Sequence, residues 1–140
     1  MTEAELAAWC AKHRAKVIEY LALQKDLHHG AVGTWPAWRV TPHISLWAVE
    51  SIRTPRAIGW WVICGDLPTD YCSGDGCRIP RLAVERIAET WVAALAAYRD
   101  GDPTIGTLGI DGSLAPLLRT RAETLLDFVA KDDFWPDEPL

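Results

Sequence analysis

ISLWAVESIRTPRAIGWWVICG, residues 44–65, decides the fold class. Along 44–52, Ile44, Leu46 and Ala48 fall on one face and Ser45, Trp47 and Val49 on the other, the two-residue period of a β-strand. Arg53-Thr54-Pro55-Arg56 is a polar turn, and the chain returns as a second apolar run over 57–64. So short a connection makes the pair an antiparallel hairpin. Both faces of the returning strand are apolar, which predicts cover on both sides. Trp60 and Trp61, being adjacent, point to opposite faces. One is expected beneath the first helix, the other beneath the second or third.

Helices flank this hairpin. Thr2 and Glu5 are spaced as a capping box, and Leu6, Trp9, Cys10, Val17, Tyr20, Leu21 and Leu27 recur at helical spacing with His13 among them. That helix is expected to stop at His28-His29-Gly30, where glycine takes a left-handed closing turn. The stretch 30–43 holds Pro36, Pro42, Trp35 and Trp38 and reads as an ordered connector. Residues 65–79, with Gly65, Pro68, Gly74 and Gly76, read as an irregular loop. A second helix starts near Pro80, burying Val84, Ile87, Ala88, Trp91, Leu95 and Tyr98. After a loop, Ser113 is expected to cap a third helix with Leu114, Leu117, Leu118, Leu125, Phe128 and Val129 inward and Arg121 amid that stripe. The sum is an α+β domain, 1–140, with a small antiparallel sheet packed against three main helices and an acidic, partly flexible tail over 131–140 in which Phe134 and Trp135 fold back.

The totals exclude several functions. Net charge is −5, without the basic stripe that neutralising a phosphate backbone requires, so nucleic acid is not expected as a partner. Anionic membrane surfaces are disfavoured likewise. The longest apolar uncharged run, 57–65, is far short of a membrane span of about 20 residues. The opening residues carry acids before any apolar run, unlike a secretory leader. These features place the chain in the cytoplasm, where its four cysteines stay reduced unless they bind metal or do redox chemistry. Eight tryptophans exceed what a core of this size needs and raise the expectation of a binding surface. They also suit a homodimer.

Candidate chemistry gathers after the second strand. Asp66, Asp70 and Asp75 lie in a loop with Cys72 and Cys77. Carboxylates leaving a strand end are placed to meet a ligand, while aspartates in Gly/Pro turns commonly bond their own backbone. A charge on the apolar face of the third helix needs a carboxylate or water, so Arg121 is expected to pair with Asp66 or Asp70. Cys72 and Cys77 are the weak candidates for zinc; no second Cys/His pair follows them, and no metal or cofactor is expected. His28 and His29 gain from a helix C-terminus without further role, and His29 is the candidate catalytic partner of Asp66 or Asp70. No nucleophile elbow, phosphate loop, dinucleotide fingerprint or zincin motif occurs.

"WPAW", "SLWAVES", "GWWVICGDLPTDY", the Pro80-Arg81 helix start, Trp91 and "RAETLLDF" together resemble a bacterial family known only as a domain of unknown function. The resemblance runs from about Tyr20 to Trp135, its most specific part being GWWxIxGDxPTDY, and it implies no activity, cofactor or site residue. "CSGDGC" departs from its pattern. The residues themselves support a non-catalytic binding or interaction protein with a Trp/Asp-lined groove near 65–81. Trp35, Trp38, Asp66, Asp70, Tyr71, Arg81 and Arg121 are its candidate contacts, and the partner is an unidentified protein or small ligand. The alternative is a small hydrolase using Asp66 or Asp70 with a histidine.

Overall fold

Thr2 accepts the Glu5 backbone N–H and opens helix α1 (Glu3–Ala22), as the capping spacing predicts. In the computed structural model, which describes residues 1–136, α1 ends six residues earlier than expected. Leu23 and Gln24 donate to the carbonyls of Tyr20 and Leu21 in tighter turns. The reason lies in Leu27. Six residues beyond Leu21 is roughly 240° around a helix, so Leu27 reaches the core only by leaving the helical path, and it is buried.

Four antiparallel strands run in the order β1 (Trp38–Val40), β2 (Ile44–Glu50), β3 (Ile58–Gly65) and β4 (Asp70–Ser73). The β2–β3 hairpin is the expected one, with Trp47 opposite Val62 and Val49 opposite Trp60. Two of its neighbours are corrections to the sequence reading. The connector holds β1, a three-residue edge strand between Pro36 and Pro42, and edges are where proline is tolerated. The 65–79 stretch holds β4, hidden by its Gly, Pro and Asp content and too short to show a two-residue period. Residues 30–33 extend the β2 edge, Gly30 and Gly33 donating to the Glu50 and Ala48 carbonyls.

The α1 face of the sheet is packed by Val17, Leu21, Leu27, Val32, Trp47, Val49 and Val62, with Tyr20, Trp60 and Tyr71 half-buried against them. On the opposite face Leu46, Trp61 and Ile63 are also buried, so β3 is covered on both sides. Trp61 donates its indole N–H to the Cys77 carbonyl at 2.9 Å.

The chain divides into two compact units, Met1–Pro80 and a second beginning at Arg81. Helix α2 (Pro80–Ala97) buries Val84, Ile87, Ala88, Trp91 and Leu95, as its spacing predicts. Helix α3 (Ala115–Val129) departs from expectation. Asp111, not Ser113, caps the preceding 3-10 turn by accepting the Ser113 N–H. The inward stripe is Ala115, Leu118, Ala122 and Leu125, which leaves Leu114 and Leu117 exposed. Small alanines, not the flanking leucines, occupy the positions three and four apart that set the buried face. Tyr98 donates to the Gly112 carbonyl, and Trp135 folds back to donate to the Phe128 carbonyl. Residues 137–140 of the tail expected to be flexible lie outside the described residues. The class is therefore α+β, and among the described residues no helix is long and apolar enough to cross a membrane.

Candidate functional site

The aspartates singled out in the sequence go to different environments. Asp66 is 68% exposed and meets His43, itself 60% exposed, at 3.5 Å; such a surface pair contributes little to stability. Asp70 opens β4 only 5% exposed, and its carboxylate accepts the Tyr71 N–H at 2.8 Å. Burial first, and the negative charge of Asp70 second, push the Tyr20 phenol above its ordinary pKa. His29 bonds its own neighbour, Nδ1–H donating to the Gly30 carbonyl at 2.8 Å. The His28 carbonyl accepts the Trp60 indole N–H at 3.0 Å. Neither His28 nor His29 hydrogen-bonds to Asp66 or Asp70, so the acid–base pair imagined from the sequence is not assembled in this structure.

The remaining candidates also separate. Trp35 is 47% exposed with the Arg39 guanidinium over its ring. Trp38, a candidate groove contact, is buried because β1 carries it inward. Tyr71 packs edge-on against Trp60. Arg81 donates from Nε to the Val129 carbonyl and from Nη2 to Asp132, with Trp135 beneath it, a task that ties the end of the second unit together. Arg121 is half-buried on α3. Cys72 is half-buried and Cys77 buried. Among the described residues no three His, Cys, Asp or Glu side chains gather as a metal would need.

Two concavities, each of about 450 Å³, open at the far end of the hairpin. The first lies between the end of α1's following turn (Asp26, His28), the β2–β3 turn (Ser51, Ile52, Arg53) and the sheet (Gly59, Trp60, Ser73, Asp75). The second lies between the same turn and the loop after β4, lined by Thr54, Arg56, Ile58, Gly74, Asp75 and Arg78. Asp75 lines both. Bare glycines let the backbones approach closely beside them: a Cβ on Gly59 would stand 2.8 Å from Ser51 Cα, and one on Gly74 would stand 2.3 Å from the Ile58 oxygen. The hydroxyl of Ser51 accepts the Arg53 and Thr54 N–H groups and fixes the turn.

Sequence reasoning missed one polar cluster altogether. Trp47 Nε1 donates to Ser45 Oγ at 2.8 Å, His13 Nδ1 lies 2.7 Å from the same oxygen, and Cys64 Sγ lies 3.3 Å from it and 3.4 Å from His13 Nδ1. The Trp9 ring covers His13 at 4.1 Å between centroids. All four cluster members are buried. The signal was available, because His13 sits in the buried stripe of α1 and Ser45 and Cys64 are directly opposite on β2 and β3. A thiol beside an imidazole suggests a nucleophile, but the electrostatics run the other way. Burial raises the Cys64 pKa against a partial offset from the Ser45 hydrogen bond. Burial, with Lys16 and Lys12 nearby, lowers that of His13. Both groups are held neutral, whereas a catalytic thiolate needs the reverse.

The model of one protein family, described as Domain of unknown function (DUF4826), matches residues 3–135. No curated protein and no solved structure matches the chain.

Proposed function

The chain belongs to this family of unknown function, and we propose that it is a non-catalytic binding protein whose ligand or protein partner enters the concavity between Trp60 and Asp75. The observation that carries this reading is the composition of that concavity. Trp60 and Ile52 line about 450 Å³ together with Asp26, His28, Ser51, Arg53, Ser73 and Asp75, polar groups beside an apolar surface as binding sites present them. Its tryptophan and aspartates are Trp60, Asp26 and Asp75 rather than Trp38 and Asp66. A hydrolase working through Asp66 or Asp70 has less support. Asp66 meets His43 on open surface, outside both concavities, and Asp70 is turned into the fold.

A screen of small aromatic and charged fragments against ¹⁵N-labelled protein tests the reading. Binding is expected to move the Trp60 indole resonance together with those of residues 51–53 and 73–75. Hits confined to other surfaces, or none across a diverse set, would remove the support.

A further inference from the structure

We infer that the second concavity holds the oxyanion end of a ligand, a phosphate or carboxylate, clamped between Arg56 and Arg78. This deepens the binding role proposed above and rests on it. In a chain of net charge −5, two arginines with no side-chain partner among the described residues line this one space. Other arginines have evident tasks: Arg14 donates to the Val32 and Gly33 carbonyls, Arg39 covers Trp35, and Arg81 holds Val129 and Asp132. The guanidiniums of Arg56 and Arg78 engage no carboxylate, carbonyl or ring among the described residues, and neither does that of Arg53 on the rim of the adjoining concavity. Arg56 and Arg78 both line the same space, with Thr54 beside them and Asp75 as the one opposing charge.

Backbone conformation supports the same assignment. Arg56 is the only non-glycine residue with positive φ among the described residues, at 67°. That region disfavours a side chain with a Cβ, and glycine or asparagine would close the turn more easily. A strained residue at the rim of a concavity is an indication that its side chain has a use there. Two arginines lining one space suit an oxyanion, which each guanidinium can grip with paired N–H donors. The adjoining concavity reverses the balance, with Asp26 and Asp75 against Arg53. A ligand spanning both would place its anionic group by Arg56 and Arg78 and its ring or hydrogen-bond donors by Trp60.

Titration of ¹⁵N-labelled protein with sodium pyrophosphate, and separately with succinate, at low ionic strength tests this and distinguishes phosphate from carboxylate. A saturable response is expected at residues 54–57 and 74–78, including the Nε–H signals of Arg56 and Arg78. Arg78→Gln is expected to weaken it about tenfold or more, while Arg119→Gln, an exposed arginine on α3, leaves it unchanged. Arg56→Gly gives the sharper sign: the turn relaxes, so thermal stability rises or holds, while anion affinity falls. Non-saturable shifts, or equal loss with Arg119→Gln, would overturn the inference. If fragments still bind at Trp60 while neither anion binds at Arg56 and Arg78, the binding role survives and the anion assignment falls.

Discussion

Replacing Trp47 by alanine is expected to lower the unfolding free energy by about 4 kcal/mol. The indole is fully buried on the α1 face of β2, among Val17, Leu21, Val49 and Val62, and stands opposite Val62 in the hairpin. Its loss removes a large apolar area and leaves a cavity that a sheet pinned by ladder bonds cannot collapse around. It also withdraws the donor that fixes Ser45. With native stability of about 5–15 kcal/mol for a domain of this kind, roughly a quarter or more of the total is at stake. Urea unfolding checks it: the midpoint should drop sharply while the slope is retained. Trp35→Ala, at the exposed ring, should change the midpoint little, and a similar loss at both positions would contradict the packing described here.

Gly65→Ala is the second large effect, at about 3 kcal/mol or roughly 10 °C in Tm. Gly65 ends β3 at φ 128°, and a Cβ there would stand 2.1 Å from the His43 oxygen and 3.1 Å from Ile44 Cα. These are backbone atoms held by the β2–β3 register and by the Asp66 N–H to His43 carbonyl bond, so nothing flexible can yield. Gly101→Ala provides the comparison. It has φ 96° but nothing within 4 Å, so it isolates the conformational part. Calorimetry showing Gly65→Ala no worse than Gly101→Ala would mean that the close approach to β2 is not real.

The hairpin was legible because its strands are long enough for a two-residue period and its turn short enough to force antiparallel pairing. Helices α1 and α2 were legible from stripes such as Val84, Ile87, Trp91 and Leu95. What escaped were elements without a period: β1 and β4 are three and four residues long, and their proline- and glycine-rich surroundings resemble loops. The α3 face was not legible because side-chain size is no guide to burial there: Ala115 and Ala122 hold the inward positions. The candidate site followed the same logic. Residues 73–78 lie in the loop that the sequence singles out, but Asp75 comes to line both concavities only because the β2–β3 turn lies alongside the loop after β4. Ser45 looked like an ordinary strand serine until His13 and Cys64 were brought to it from 32 residues before and 19 after.

That cluster bears on the proposed non-catalytic role most directly, since it is the arrangement most like a nucleophile with its base. The same groups explain their own burial without catalysis. Trp47 can only donate, Ser45 accepts, and the remaining hydroxyl proton and thiol proton satisfy His13 and its surroundings, so no buried side-chain nitrogen or oxygen among the described residues lacks a partner. Removing one member would leave the others unsatisfied in an apolar interior.

The decisive measurement is the alkylation rate of Cys64 in the native protein at neutral pH, located by peptide mass spectrometry after iodoacetamide treatment. Alkylation requires an accessible thiolate. A buried thiol of raised pKa beside a neutral imidazole is expected to react only as fast as the protein unfolds, far slower than a free peptide thiol. Native-state labelling of Cys64 as fast as a peptide thiol or faster would contradict a structural role and make the cluster a catalytic pair.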